Sequence, residues 1–202
     1  MPRPAITPEQ RLETRERIRA AAATLVRRGN PESITIRAVA KQAGVSVGTI
    51  YKYFADISDL GRSLWQEPVE ALRGQMLDIV RKTDDPVARI RALLQEYADF
   101  ARDKERVFRG AFLYVRPETR PKPDAIALEE EPFFQHLQAA ILEGQKSGVI
   151  IDGNAKTLAQ LLWAALHGAL ALPNNIETIA FDPPKKMADE MIDSIMVMID
   201  KR

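Results

Sequence analysis

Apolar residues recur at intervals of three and four along most of the chain, the spacing that lines one face of an α-helix. Between Arg11 and Arg28, Leu12, Ile18, Ala22, Leu25 and Val26 share a face opposite Arg and Glu side chains, and Gly29 is suited to a left-handed cap. A first helix is expected there. Ile36–Ala43 reads as a second, with Thr35 as its N-cap and Gly44 as its stop, and Val47–Tyr53 follows as a third after a three-residue turn. Asp56 can cap the amide of Asp59 and opens a fourth helix through Leu60, Leu64 and Trp65 toward Val80, with Pro68 marking a bend or a break.

The second half repeats the helical pattern. Pro86 suits a first helical position, and Ile90, Leu93, Leu94, Tyr97 and Ala101 form a stripe on a helix that continues, alone or with another, to Tyr114. The segment RPETRPKPD, 116–124, holds three prolines and predicts a loop. Helices are expected again over Phe133–Gln145, Ala155–Leu172 and Pro184–Ile199, the last two separated by Pro173-Asn174-Asn175 and Pro183-Pro184. Val149-Ile150-Ile151 resembles a strand in isolation, but one strand makes no sheet.

The most informative stretch is Thr35–Phe54, TIRAVAKQAGVSVGTIYKYF. Two short helices joined by a tight turn form a helix-turn-helix, with Val39, Ala43, Val45 and Ile50 as its apolar contacts. Ala40 is small where the helices cross, and Gly44 stands where the turn needs a left-handed residue. The expected fold is therefore all-α, with an N-terminal three-helix helix-turn-helix domain over 1–55 and an all-helical domain over 56–202.

Charge sharpens this division. The 202 residues carry a formal net charge of only +1, yet residues 1–62 hold eleven Lys/Arg against six Asp/Glu and the remainder holds eighteen against twenty-two. A basic head for a polyanion and an acidic body with another task are expected. Cysteine is absent, which excludes disulfides, thiolate nucleophiles and Cys-ligated zinc. The N-terminal MPRPAITPEQ lacks the apolar core of a signal peptide, and the most apolar stretch, 157–172, is interrupted by Gln160 and His167. A cytoplasmic protein without membrane association is expected.

With Gly29 and the run T-x-x-x-x-A-x-x-A-G-V-S-x-G-T-x-Y-x-Y-F filled from Thr35 to Phe54, the chain resembles the tetracycline-repressor (TetR) family of bacterial transcription regulators over about residues 11–65. The body follows only the family's general helical plan. The resemblance implies a homodimer that binds duplex DNA at a near-palindromic operator. It points to Thr35, Arg37, Val47, Gly48, Thr49, Tyr51, Lys52 and Tyr53 as DNA-binding residues. Lys52 can meet a phosphate or a base edge, and Thr49 a base or a thymine methyl. Gly48 lets the backbone approach closely. Tyr51 and Tyr53 offer a ring for packing and a hydroxyl for a phosphate, with a core role equally open for Tyr51. Thr35 and Arg37 face the DNA backbone from the scaffold helix, and Val47 can give only apolar contact. Members often carry Lys just after the cap of the fourth helix, where this chain has Ile57, so that phosphate contact is missing or supplied by Arg62 or Lys52.

The resemblance also implies a four-helix dimer interface from the last two helices of each subunit, here Leu161, Ala165, Gly168, Ala169, Leu172, Met191 and Ile195. A central helix buried within a monomer is the alternative. About half of the aromatic residues fall between 97 and 134. Phe100, Phe108, Phe112, Tyr114 and Phe133, with His136, Trp163 and His167 as polar handles, are candidate ligand-binding residues for a small, mostly apolar effector. A core role is the competing reading for each. No third ligand is spaced to make a metal pair of His136 and His167, no cofactor is called for, and Gly44-Val45-Ser46-Val47-Gly48 lacks the Lys of a phosphate-binding loop. With no nucleophile and base grouped together, an enzyme is not expected. The reading is a ligand-responsive DNA-binding repressor; an activator, or a DNA-binding regulator that needs no ligand, is the alternative.

Overall fold

A computed structural model describes residues 7–28, 35–113, 127–176 and 178–201. The expected cap Gly29, the proline-rich loop 116–124 and the candidate Tyr114 lie outside the described residues. Among the described residues the elements are α1 (Pro8–Arg28), α2 (Ile36–Ala43), α3 (Val47–Ile50), α4 (Ile57–Lys82), α5 (Pro86–Asp103), α6 (Glu105–Phe112), a 3-10 turn at Leu128–Glu130, α7 (Pro132–Lys146), α8 (Ala155–Asn175) and α9 (Pro184–Ile199). The fold is all-α.

Short polar side chains set most of the helix starts. Thr35 Oγ1 accepts from the Ala38 N–H at 3.2 Å, Ser46 Oγ from Thr49 at 3.0 Å, Asp85 Oδ2 from Ala88 at 2.6 Å and Asn154 Oδ1 from Thr157 at 3.0 Å. At α4 the capping is reciprocal. Asp56 Oδ1 accepts from the Asp59 N–H at 2.7 Å while Asp59 Oδ2 accepts from the Ala55 N–H at 3.0 Å, so two amides that the helix leaves unpaired are satisfied at once. Gly44 ends α2 at φ 65°, in the left-handed region where a Cβ would be strained.

Three expectations are corrected. The third helix stops at Ile50 rather than Tyr53, because the following residues tighten: Lys52 donates to the Thr49 carbonyl and Tyr53 to that of Ile50. Pro68 does not break α4, which continues to Lys82, and α8 runs past Pro173 to Asn175. At the latter, the Asn174 side-chain amide donates to the Leu170 carbonyl at 2.7 Å, an added bond next to the Ala169 carbonyl that proline leaves without its helical donor. The 149–151 segment does pair, but only as an isolated antiparallel bridge between Ile150 and Asp200, with Ile151 donating to the Ile199 carbonyl at 2.9 Å.

Contacts divide the described residues into two units, one up to Pro68 and one from Val69 onward. In the first, Ile18 and Ala22 of α1, Val39, Ala40 and Ala43 of α2, Ile50, Phe54 and Leu60 form one buried cluster. Leu60 and Leu64, at the start of α4, therefore belong with the helix-turn-helix, and this division falls beyond residue 55. In the second, α5 packs against α7 and α9, and α8 against α7 and α9. Leu93, Tyr97, Phe134, Leu137, Leu162, Leu166 and Ile192 lie at its centre, all within 1% of complete burial. No helix among the described residues is long and apolar enough to cross a membrane.

Candidate functional site

The helix-turn-helix divides its side chains cleanly. Val39, Ala43 and Ile50 turn inward with Phe54, leaving Arg37, Val47, Gly48, Tyr51 and Lys52 exposed along with the cap residue Thr35. Tyr51 is 55% exposed, which removes it from the core, whereas Tyr53 is half-buried against the apolar cluster. Thr49 is half-buried, and its Oγ1 lies 2.8 Å from Ser46 Oγ, so its hydroxyl is oriented by the cap of its own helix. Ile57 packs against the cluster as an apolar residue, and Arg62 is exposed beside Asp59 at 3.4 Å. Both candidate substitutes for the missing lysine, Lys52 and Arg62, are exposed.

Not every arginine of the basic first helix serves the surface. Arg15 lies over the Phe54 ring at 5.2 Å, and Arg19 donates through Nε and Nη2 to the Ser63 carbonyl at 3.1 and 2.8 Å. These two hold α1 against the end of the recognition segment and the start of α4. Arg11 and Arg17 are exposed.

The second unit contains a cavity of about 20 Å³. Val69, Leu72, Arg73 and Met76 of α4 form one wall, Tyr97 of α5 and Phe112 of α6 another, and Glu131, Phe133 and Trp163 close it. Tyr97 stacks on Phe133 with centroids 5.1 Å apart, and Trp163 stands perpendicular to both rings. Of the candidate ligand residues, Phe112, Phe133 and Trp163 line this space. Phe100 and Phe108 do not: both are buried in the core, where they pack edge-on or tilted against Phe112. His136 is half-buried on α7 away from the lining, and His167 reaches it only through Tyr97, whose hydroxyl lies 2.8 Å from His167 Nδ1.

The electrostatics follow from burial. It raises the Tyr97 phenol well above its ordinary value, opposed by the neighbouring Trp163 N–H, and lowers both His167 and His136, the latter opposed by Glu131. Glu131 Oε2 caps α7, accepting from the Phe133 and Phe134 amides at 2.7 and 3.2 Å, while its Oε1 lies 3.6 Å from Arg73 Nη2. Arg73 Nη1 is 2.6 Å from Glu70. Two buried donors, Arg73 Nε and Trp163 Nε1, make no well-aligned hydrogen bond, the indole N–H lying near the Tyr97 hydroxyl without a good geometry toward it. Sequence reasoning missed Arg73 and Glu131, which the pattern shows only as ordinary helix charges. Among the described residues no group of three or more His, Asp or Glu side chains is arranged to hold a metal.

On α8 and α9, Leu161, Leu172, Val197 and Met198 are 42–61% exposed, and Ala165 and Gly168 are half-exposed. Ala169 and Ile195 instead are buried within the chain itself, at 3% and 2% exposure, Ile195 in the body's core cluster. Met191 packs partly against the same core.

A helix-turn-helix followed by a helical body with an aromatic cavity is the architecture of a DNA-binding regulator. Residues 18–64 match the model of bacterial regulatory proteins of the tetR family, and residues 90–195 that of the tetracyclin repressor-like C-terminal domain. The chain belongs to the TetR family of transcriptional regulators. No curated protein matches the sequence. Among solved structures, the chain is similar to the transcriptional regulator FadR from Bacillus subtilis in complex with stearoyl-CoA, at 17% identity and a TM-score of 0.67 over 91% of this chain and 98% of that one. A transcriptional regulator from Saccharomonospora viridis in complex with choline is similar at 22% identity and a TM-score of 0.67, covering 94% and 99%. A TetR/AcrR-family regulator from Thermobifida fusca matches at 17% and 0.66, covering 91% and 97%. These likenesses show the fold.

Proposed function

We propose that this chain is a sequence-specific repressor, released from its operator when a small, mostly apolar effector enters the second unit. The observation that carries the reading is the exposure of Gly48, Tyr51 and Lys52 on a segment anchored from beneath by the buried Ile50 and Phe54. A helix presented in this way enters the major groove, where Lys52 and Tyr51 meet phosphates and Thr49 meets a base. The aromatic cavity supplies a place for the effector, and the relatives with bound stearoyl-CoA and choline support a ligand in the body.

The exposed apolar face of Leu161, Gly168, Leu172, Val197 and Met198 supports a homodimer. Two-fold symmetry then calls for half-sites one turn of the duplex, about 34–36 Å, apart or a multiple of it. Selection from a random duplex library by gel shift is expected to enrich a near-palindrome, and an extract of the source cells to release it. Enrichment without release leaves a regulator that needs no ligand. Loss of transcription from the chain's own promoter when its gene is deleted identifies an activator.

A further inference from the structure

From the two donors in the cavity that lack a well-aligned hydrogen bond we infer that its ligand is an uncharged molecule with an apolar body and one oxygen acceptor, of the ketone, lactone or amide class, received jointly by Arg73 Nε and Trp163 Nε1. The inference rests on the cavity being the effector site and names the chemistry of what it takes. A buried N–H without a well-aligned acceptor is costly, and here two of them line one small space. A ligand acceptor within reach of both would satisfy them together.

Charge decides which acceptor. Arg73 is already opposed by two carboxylates, Glu70 at 2.6 Å and Glu131 at 3.6 Å, so the immediate surroundings carry one more negative charge than positive. A ligand carboxylate would add a third anion, whereas a carbonyl oxygen takes both hydrogen bonds without that repulsion. A quaternary ammonium would suit the rings of Tyr97, Phe112, Phe133 and Trp163, but it offers no acceptor and leaves both donors as they are. The volume of about 20 Å³ holds a single oxygen-bearing group. It is the seat of the polar end, with the apolar body against Phe112, the partly exposed wall.

Four probes of similar size test this on the full chain labelled with ¹⁵N: acetophenone, ethylbenzene, benzoate and phenyltrimethylammonium. Acetophenone is expected to move the Trp163 indole and Arg73 Nε–H resonances, leave the Trp65 indole in place, and bind about tenfold more tightly than ethylbenzene. In Trp163→Phe, which also assigns the indole signals, that preference should fall to about threefold or less. Arg73→Met should do the same, and Trp163→Phe carries the test if Arg73→Met does not fold. Equal binding of ethylbenzene, tighter binding of benzoate or phenyltrimethylammonium, or no saturable binding of any probe at millimolar concentration overturns the inference. Operator gel shifts separate it from the functional reading. Release by cell extract with no acetophenone binding defeats the ligand chemistry alone, and acetophenone bound at Trp163 with DNA affinity unmoved by any extract defeats the regulatory reading alone.

Discussion

Gly144 has no room for a side chain, because a Cβ built there overlaps Ile150, with Cγ1 at 2.7 Å and Cδ1 nearer still. Ile150 is fully buried with its backbone fixed by the bridge to Asp200, so its side chain has only packed neighbours to move into. Gly144→Ala is therefore expected to destabilise the second unit by about 1–3 kcal/mol despite the better helix propensity of alanine, as denaturant unfolding would show. An unchanged midpoint would mean that the Ile150 turn yields. A second residue-level effect concerns acid. His167 and His136 hold their protons less tightly when folded than their ordinary value of 6.5, chiefly through burial. Below that value the unfolded chain takes up protons that the folded one does not, so stability is intact above it and declines as the pH falls toward the lowered folded values. The melting temperature should drop between pH 7 and pH 5.5, and His167→Gln, which can still bond Tyr97 but does not titrate in this range, should flatten part of that slope. An equal slope in the variant assigns the acid response to other groups.

At the level of elements, what could be read in advance was what local chemistry decides. Thr35, Gly44 and Asp56 announce their caps because a side-chain oxygen or a missing Cβ acts within a few residues, and the helix starts followed. Pro68 and Pro173 misled because a proline's cost falls on one turn while whether a helix continues depends on the whole element. The same limit hid Arg73, whose position on a helix says nothing of the Glu131 cap brought against it from another element. The aromatic cluster was legible as a cluster, but which rings line a cavity and which pack beneath depends on the crossing of α5 with α7 and α8. Pro68 also carries a prediction. It removes the N–H that would bond to the Leu64 carbonyl, at the point where the two units divide. Pro68→Ala should strengthen α4 by about 1–3 kcal/mol, seen as slower amide exchange over 64–72. No gain in protection would mean that the helix already opens there in solution.

For the whole molecule the question is whether one chain suffices. A recognition element of a single turn, Val47–Ile50 with the tight turns after it, reads few base pairs, so specificity requires two heads held together. Gly168 offers a direct test. A Cβ there meets nothing within 4 Å in its own subunit, so Gly168→Arg should leave the isolated chain folded. Beside Leu161 and Leu172, however, the same arginine would set an unpaired charge into the apolar contact proposed between subunits, at a cost of several kcal/mol. Light scattering should then give about 22.7 kDa at concentrations where the parent chain gives twice that mass. In the proposed dimer the second head binds at the effective concentration set by the first. Dissociation removes that advantage, and operator affinity should fall by about 10²–10⁴ while single half-site binding is preserved. A variant that remains a dimer places the interface on another face, and a monomer that still binds the full operator at parent affinity removes the need for two heads.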